Sequence, residues 1–361
     1  MAGFMRKVWV VCGGPSTEYE VSLNSGREVC RHIRTDTNDA RPVVITREGR
    51  WIVGDRLTNG GDRRSALESF FDAVRGGSAA SHACDLGEAV TRMLRERVDC
   101  VFIAIHGQFG EDGRIQGLLE TAGVAYTGSG ILASATAFDK QLTLEAYRRD
   151  GLRTARSFLA GRGRPGATED STLAFPVFVK PVRGGSSVGI SLAHNAIELQ
   201  VAVEAALAVD DTALCEQRIV GIEVSCGVID RVTENGIETI ALPPTEIRPV
   251  ESEYFDYTAK YVPGKSEEIT PARLSPKVIA RIQDAAIRAH RVLGCAGVSR
   301  TDAIVPPGDN AEPVLLETNT IPGLTATSLL PQQAQAYGMD FCDLIETLII
   351  HAMHRGGAKW R

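Results

Sequence analysis

Residues 299–328 concentrate side chains that can bind a metal ion and an anion. Two strand-like runs, 298–305 and 313–319, flank a turn rich in Pro, Gly, Asp and Asn, which predicts a β-hairpin. Side chains two residues apart share a face of a strand, so one face of this hairpin gathers four polar groups: Arg300, Asp302, Glu317 and Asn319. The three oxygen-bearing side chains suit Mg²⁺, which usually shares its ligands with substrate phosphates.

The segment that follows the hairpin, 320–327, contains Gly, Pro and hydroxyl residues and can bring backbone N–H groups close to an anion. The alternative for the hairpin is an ordinary antiparallel pair whose polar face is solvated. The rest of the chain is needed to decide between these two interpretations.

Size and composition indicate a globular protein of two or three domains, with 361 residues, 43% hydrophobic and 23% charged. The net charge of −6 and the absence of a basic stripe exclude a typical nucleic-acid-binding protein. No apolar run has the length of a membrane span, and residues 8–11 are too short for a signal-peptide core, so we expect a cytoplasmic location. The eight cysteines include no CxxC pair and are expected to be buried free thiols.

The first third of the chain alternates strand and helix signals. Strands are predicted at 7–12, 42–45 and 100–105, and helices at 20–34, 65–77 and 86–97. This alternation predicts a parallel sheet covered by helices on both faces. Ligands bind beyond the carboxyl ends of such strands, where the segments 13–18 and 106–112 lie.

The remaining elements are predicted from the same signals. Helices are expected at 137–151, 196–209, 275–293 and 341–354, and strands at 176–180 and 212–217. The glycine-rich turn 128–130 lacks the acidic partner of a dinucleotide fingerprint and is interpreted as a helix entry.

Two features of the middle region could bind a nucleotide. Lys180 ends a strand before the Gly- and Ser-rich loop 181–189, where backbone and lysine can approach phosphates, although no Walker motif is present and an ordinary loop is the alternative. Glu216 and Glu223 flank a turn at Gly221 and as a pair could hold an amino group and ribose hydroxyls; singly, each would be a solvated carboxylate.

Two loops could contact a substrate. Lys260 and Tyr261 belong to an aromatic segment, 255–265, which is either a closing lid or a surface loop. His106 lies in a glycine-flanked loop at a strand end, where loops carry function.

With these residues in view, the chain resembles the D-alanine–D-alanine ligases of the ATP-grasp superfamily. The matching motifs are GGPSTEYEVSLNSG at 13–26, IAIHGQFGEDGRIQG at 103–117, YTGSG at 126–130, DK at 139–140, KPVRGGSSVGIS at 180–191, FDYTAKY at 255–261, SRTD at 299–302 and ETNTIPGLTATS at 317–328. The resemblance implies an α/β fold of three domains: an N-terminal parallel-sheet domain at 1–127, a central lid domain at 128–219, and a catalytic and metal-binding domain at 220–361.

The resemblance also implies a role for each matching residue. The metal ligands would be Asp302, Glu317 and Asn319. The nucleotide would be bound by Lys140, Lys180, Glu216, Ile219, Glu223 and Lys260. The first D-alanine's ammonium would be held by Glu18, which with Ser186 and Tyr261 would form a hydrogen-bonded triad. The oxyanion would be stabilised by Arg300 and the Gly323 N–H, and the second D-alanine's carboxylate by Ser328. His106 and Lys260 are also expected among the substrate-binding residues.

The expected function is ATP-dependent ligation of two D-alanines through an acyl phosphate for peptidoglycan synthesis. Two Mg²⁺ ions, with Mn²⁺ as a substitute, and a homodimer are implied. Gln217 departs from the lysine of many relatives, whereas Tyr261 keeps the residue that favours an amine nucleophile. The alternatives are a relative that uses D-serine or D-lactate as second substrate, and a non-catalytic ATP-binding protein.

Overall fold

A computed structural model describes residues 5–57, 63–161, 173–185, 189–250, 264 and 266–356. These residues form three sheets that follow one another along the chain, with helices packed against them. The predicted lid segment 255–265, apart from residue 264, lies outside the described residues.

The first sheet has the order β3-β2-β1-β4-β5. Its strands are β1 (Arg6–Gly13), β2 (Asn38–Ile45), β3 (Trp51–Val53), β4 (Cys100–Ala104) and β5 (Ala125–Tyr126), all parallel except β3. Its helices are α1 (Tyr19–His32), α2 (Arg63–Arg75), α3 (Leu86–Glu96) and α4 (Arg114–Thr121), with a 3₁₀ turn at Ser78–His82. The predicted parallel sheet is confirmed, and the loops after β1 and β4 leave adjacent strands at the same edge.

The second sheet is antiparallel, with the order β6-β9-β7-β8. Its strands are β6 (Ser157–Gly161), β7 (Val177–Pro181), β8 (Ser191–Ala193) and β9 (Thr212–Gln217), and α7 (Ala196–Leu207) packs on them. It is preceded by α5 (Ile131–Phe138) and α6 (Lys140–Arg149). The helix predicted at 137–151 is therefore confirmed over 140–149, but its predicted start is wrong, because residues 137–138 end a separate helix. Asp139 is extended at the junction and caps α6 by accepting a hydrogen bond from Leu142 N.

The third sheet has the order β13-β12-β10-β14-β15, with β11 paired to β10. Its strands are β10 (Ile222–Thr233), β11 (Gly236–Ala241), β12 (Thr245–Pro249), β13 (Ser266–Ile269), β14 (Val298–Val305) and β15 (Val314–Asn319). It packs with α8 (Pro276–Val292), α9 (Leu329–Tyr337) and α10 (Phe341–Arg355). The predicted β14–β15 hairpin is confirmed: Arg300 pairs with Asn319 and Asp302 with Glu317, with an irregularity after Asp302.

The C-terminal helix α10 joins the first and third sheets into one core, because its buried apolar residues pack against β4, β5 and β10. At its end, Arg355 donates hydrogen bonds to the carbonyls of Gly128 and Tyr126 and lies over the Tyr126 ring. The three sheets span 6–126, 157–217 and 222–319. The domain limits at 127 and 219 remain a prediction.

Two further expectations concern cysteines and the membrane. All eight cysteines are free thiols, and six of them are buried, as predicted. Among the described residues no helix is long and apolar enough to cross a membrane.

Candidate functional site

A cavity of about 510 Å³ opens where the edge of the first sheet faces the β14–β15 hairpin. Its walls come from the loops after β1 and β4, the start of α6, the hairpin and the segment 320–329. Eight of the predicted site residues line it: Glu18, His106, Lys140, Arg300, Glu317, Asn319, Gly323 and Ser328. The topology therefore brings together residues that are some 300 positions apart in sequence, between Glu18 and Ser328.

The hairpin presents a partly buried arginine–carboxylate pair. Arg300 donates from Nε and Nη2 to the two carboxylate oxygens of Asp302, at 3.0 and 2.9 Å. Asp302 also accepts hydrogen bonds from Ser225 Oγ at 2.5 Å and Asn319 Nδ2 at 3.2 Å. Burial by itself lowers the pKa of Arg300, but Asp302 and Glu317 raise it further than burial lowers it, so the guanidinium stays charged.

The donor set of the hairpin fits a hard divalent cation. Asp302, Glu317 and Asn319 supply carboxylate and amide oxygens from one face of two paired strands. Asp302 already receives four hydrogen bonds, so a cation would have to replace at least one of them. No cluster of three or more His, Cys, Asp or Glu residues that would hold a metal occurs in the described part of the chain; the amide of Asn319 is the third donor here.

Lys140 reaches the hairpin from the first residue of α6. Its Nζ lies 3.4 Å from Glu317 Oε2 and donates to the Gly184 carbonyl at 2.8 Å. Its backbone N–H donates to the Val182 carbonyl, which fixes the start of α6 beside the strand end of β7. An ammonium group is thus held between the predicted metal ligands and the predicted phosphate loop.

Lys180 and Glu216 form a buried ion pair across β7 and β9. They are diagonal neighbours, since Lys180 lies opposite Leu214 and Glu216 opposite Phe178. Burial opposes the charged form of Lys180, yet Glu216, Glu317 and Glu223 raise its pKa above the usual value.

The other carboxylate oxygen of Glu216, Oε1, is buried without a hydrogen-bond partner in the described structure. An unpaired buried acceptor is costly, so this oxygen is suited to a ligand N–H group. Ile219 is half-buried in the loop between β9 and β10, and Glu223 is half-buried near the start of β10. Unlike Lys140, the residues Lys180, Glu216, Ile219 and Glu223 lie outside the lining of the 510 Å³ cavity.

Glu18 stands at the beginning of α1 and points toward two glycines. A Cβ added at Gly107 would lie 2.3 Å from Glu18 Oε2, and one added at Gly185 would lie 2.7 Å from the same oxygen. The loop after β4 and the predicted phosphate loop therefore approach this carboxylate closely only because neither Gly107 nor Gly185 has a side chain.

His106 is buried and uses both ring nitrogens within the protein. Nε2 lies 2.7 Å from Ser25 Oγ and Nδ1 lies 2.9 Å from the Ile321 carbonyl. Burial lowers the pKa of this imidazole, with Glu18 opposing the shift, so it is neutral at pH 7.

Glu111 is a cavity residue that the sequence reasoning missed. Its oxygens accept hydrogen bonds from Gly107 N at 2.9 Å and Ile321 N at 3.3 Å. Burial, reinforced by the charge of Glu18, raises the pKa of Glu111 to about 8. It belongs to the motif at 103–117, but nothing in its spacing distinguished it from the neighbouring acidic residue.

Gly323 and Ser328 lie together beyond the hairpin. A Cβ on Gly323 would be 2.7 Å from Ser328 Oγ, and that hydroxyl accepts a hydrogen bond from Thr325 N. Within the described residues the Gly323 N–H donates to no partner, which leaves it available to a ligand.

Three predicted site residues, Ser186, Lys260 and Tyr261, lie outside the described residues. The predicted triad of Glu18, Ser186 and Tyr261 and the lid contact of Lys260 therefore stay predictions.

Comparison with known proteins places this geometry in context. Profiles described as D-ala D-ala ligase N-terminus and D-ala D-ala ligase C-terminus match residues 7–129 and 159–350. The chain is 39% identical over 354 residues to a D-alanine–D-alanine ligase of Leptospira interrogans, covering 95% of this chain and 98% of that protein. It is 38% identical to one from Nitratidesulfovibrio vulgaris, covering 97% and 99%.

Solved structures agree. The VanG D-Ala:D-Ser ligase from Enterococcus faecalis superposes with a TM-score of 0.82 at 33% identity, covering 97% of this chain and all of that one. The D-alanine–D-alanine ligase from Coxiella burnetii superposes with a TM-score of 0.80 at 28% identity, covering 97% and 94%.

Proposed function

Because this chain belongs to the D-alanine–D-alanine ligase family of ATP-grasp proteins, we propose how its own residues carry out the ligation. The activity is the ATP-dependent joining of two D-alanines to D-alanyl-D-alanine, a peptidoglycan precursor, with use of a divalent metal. The observation that carries the assignment of roles is the cavity in which Glu18, Arg300 and the Gly323 N–H meet.

The first step activates the carboxylate of one D-alanine, since a carboxylate is a poor electrophile. A carboxylate oxygen attacks the γ-phosphorus of ATP, the bond to the β,γ-bridging oxygen breaks, and ADP leaves. Glu18 orients the ammonium of this D-alanine within the triad with Ser186 and Tyr261. Lys140, between Glu317 and Gly184, stabilises negative charge on the transferred group.

Lys180 and Lys260 complete the phosphate contacts. Lys180 keeps its charge beside Glu216, which supports a role as a fixed cation near the nucleotide. The unpaired Oε1 of Glu216 accepts from the adenine amino group, Ile219 packs on the base, and Glu223 binds the ribose hydroxyls.

Asp302, Glu317 and Asn319 hold Mg²⁺, with two ions as the expected number and Mn²⁺ as a substitute. When bound, the metal supplies charge neutralisation for the phosphates. Asp302 keeps Arg300 oriented by accepting two hydrogen bonds from its guanidinium.

In the second step the amine of the other D-alanine attacks the acyl phosphate. As the C–N bond forms, the carbonyl oxygen becomes an oxyanion. The nitrogen then loses a proton, which the departing phosphate takes up, and inorganic phosphate leaves as the carbonyl re-forms. Arg300 has N–H donors beyond the two that Asp302 accepts, and these together with the Gly323 N–H stabilise the oxyanion. His106 helps form the substrate pocket, and Ser328 binds the carboxylate of the attacking D-alanine.

The same family resemblance supports three further proposals: a homodimer, a cytoplasmic location, and domain limits near residues 127 and 219. The lid segment around Lys260 and Tyr261 is proposed to exclude water from the acyl phosphate, which would otherwise hydrolyse.

The test measures phosphate release from ATP and Mg²⁺ with D-alanine alone, and with D-alanine paired with D-serine or D-lactate, and identifies each product by mass spectrometry. D-alanyl-D-alanine from D-alanine alone, with one phosphate per peptide bond, is the expected result. Turnover only with a second acceptor would replace the substrate assignment. ATP binding without turnover on any substrate would overturn the proposed chemistry.

A further inference from the structure

The short backbone segment that presents the Gly323 N–H is held on both sides by side chains from helix α1 and from the segment after β4. On one side, Leu324 N donates to Ser25 Oγ at 3.3 Å. On the other, the Ile321 carbonyl accepts from His106 Nδ1 at 2.9 Å, and Ile321 N donates to Glu111. The backbone is therefore held by hydrogen bonds at Ile321, two residues before the proposed oxyanion donor, and at Leu324, one residue after it.

The protonation of this network follows from counting donors. A neutral imidazole carries one N–H, and the Ile321 carbonyl can only accept, so the proton is on His106 Nδ1. Nε2 is then an acceptor, and Ser25 must donate its hydroxyl proton to it. The Ser25 oxygen is left to accept from Leu324 N. The chain therefore runs in one direction, from Leu324 N–H through Ser25 and His106 to the Ile321 carbonyl. Hydrogen bonds in such a chain strengthen one another.

The environment of this network is buried and pre-arranged. Ser25 is fully buried in α1, His106 is 4% exposed, and Ile321 and Leu324 are also buried. The backbone of His106 is itself fixed, because its N–H donates to Ser22 Oγ and its carbonyl accepts from Ser16 Oγ. An oxyanion donor on a loop accelerates the reaction only if the donor is fixed in position before the reaction.

We propose that Ser25 is a positioning residue for the ligation step: through His106 and Leu324 it fixes the backbone that aims the Gly323 N–H at the oxyanion. The proposal rests on the oxyanion role proposed above. It assigns to Ser25 no contact with substrate, and it separates the peptide-forming step from the phosphoryl transfer, which uses Lys140 and the hairpin.

The test is Ser25→Ala, which removes the hydroxyl that links Leu324 N to His106. We expect kcat for dipeptide formation to fall about tenfold, less than the roughly hundredfold loss of a removed oxyanion donor. The KM for ATP should stay within about twofold. Rates are expressed per folded enzyme, determined by circular dichroism and size exclusion.

A second readout separates the two chemical steps. Exchange of ¹⁸O between the β,γ-bridging and β-nonbridging positions of ATP reports reversible acyl-phosphate formation without peptide synthesis. In Ser25→Ala this exchange should persist within about threefold of the wild-type rate while dipeptide formation falls. A variant that is merely less well folded would lose both rates together.

Ser129→Ala is the matched control. Ser129 is also a buried serine whose hydroxyl accepts a backbone N–H, from Ala296 at 3.1 Å, but it lies outside the cavity lining. It should lose stability and keep kcat. Should Ser25→Ala fold poorly, Glu111→Gln perturbs the same segment from the other side and is expected to show the same split between exchange and ligation.

Combining Ser25→Ala with Glu111→Gln should give a kcat loss smaller than the product of the single losses, because both act on one segment. Wild-type-like kcat in Ser25→Ala, or equal loss of exchange and ligation in both variants, would overturn the inference. A wild-type enzyme that forms no dipeptide would overturn the proposed function instead.

Discussion

Arg300→Ala removes the residue that links the proposed metal-binding hairpin to the proposed oxyanion. Arg300 and Asp302 are joined by two hydrogen bonds of 3.0 and 2.9 Å, and their side chains are 17% and 10% exposed. Breaking a buried pair from one side typically costs about 3–5 kcal/mol of unfolding free energy. Asp302 keeps its hydrogen bonds from Ser225 and Asn319, so we expect the low end, about 3 kcal/mol.

The effect on activity follows from the oxyanion. Loss of one such donor raises the barrier by about 2.7–4 kcal/mol, so kcat should fall roughly a hundredfold or more. Arg300→Lys keeps the positive charge without the planar guanidinium, so its kcat should fall less than that of Arg300→Ala. Because Asp302 is released from two hydrogen bonds, the Mg²⁺ concentration that gives half-maximal activity should not rise.

The assay is phosphate release at saturating D-alanine and ATP over a range of Mg²⁺ concentrations, with thermal unfolding measured on the same samples. Arg288→Ala is the matched control, because Arg288 pairs with Asp150 at 2.9 Å on the surface, where the pair is worth at most about 1 kcal/mol. Two results would refute the reasoning: Arg300→Ala turning over within threefold of the wild type, or excess Mg²⁺ restoring its rate.

Three further perturbations have defined outcomes. Between pH 4.5, the ordinary pKa of Glu, and about 8, the folded, ligand-free protein keeps a proton on Glu111 that the unfolded chain loses, so the free energy of unfolding should fall by up to about 1.4 kcal/mol per pH unit as pH rises. Glu111→Gln should flatten this slope in urea unfolding measured at pH 5–8, and an unchanged slope would contradict the assignment. Gly107→Ala should raise the KM for D-alanine about tenfold, because the added Cβ would displace Glu18. Gly49 has a similar positive φ but lies in open space, so Gly49→Ala should leave the kinetics unchanged. Equal effects of the two substitutions would point to backbone strain alone. Burial opposes ionisation of Asp230, but its hydrogen bonds lower its pKa to about 2, so its carboxylate contributes about 2 kcal/mol to the free energy of unfolding above pH 4, and this contribution is lost as pH falls toward 2. Asp230→Asn should therefore destabilise the protein at pH 7 and about half as much at pH 3. A destabilisation that does not change with pH would exclude this origin.

The hairpin was predictable from sequence because alternation fixes which side chains share a face. The register, with Arg300 opposite Asn319 and Asp302 opposite Glu317, was not predicted, and an irregularity after Asp302 shifts the pairing. The parallel first sheet was predictable for a similar reason, since buried strands separated by helices admit few arrangements.

Other features needed the tertiary structure. The start of the helix predicted at 137–151 was wrong because Asp139 is extended and its side chain accepts a hydrogen bond from Leu142 N, one of the free N–H groups of α6. This capping residue ends α5 as it starts α6. The Lys180–Glu216 pair depends on β7 lying beside β9, a strand order that local patterns do not determine.

The loop residues were the least predictable. Glu111 has no periodic signal, and its raised pKa comes from burial and from the nearby Glu18, 93 positions earlier in the sequence. Ser25 looks like an ordinary small residue on the buried face of α1, and its hydroxyl acquires a role only when His106 and Leu324 arrive from two other elements.

We propose that this chain joins two D-alanines through an acyl phosphate formed in the cavity between Glu18 and Arg300. The most direct test is ligation of D-alanine labelled with ¹⁸O in its carboxylate, followed by mass spectrometry of the released phosphate. Transfer through an acyl phosphate predicts one ¹⁸O atom in each inorganic phosphate and D-alanyl-D-alanine as the product. Dipeptide formed with unlabelled phosphate would contradict the mechanism.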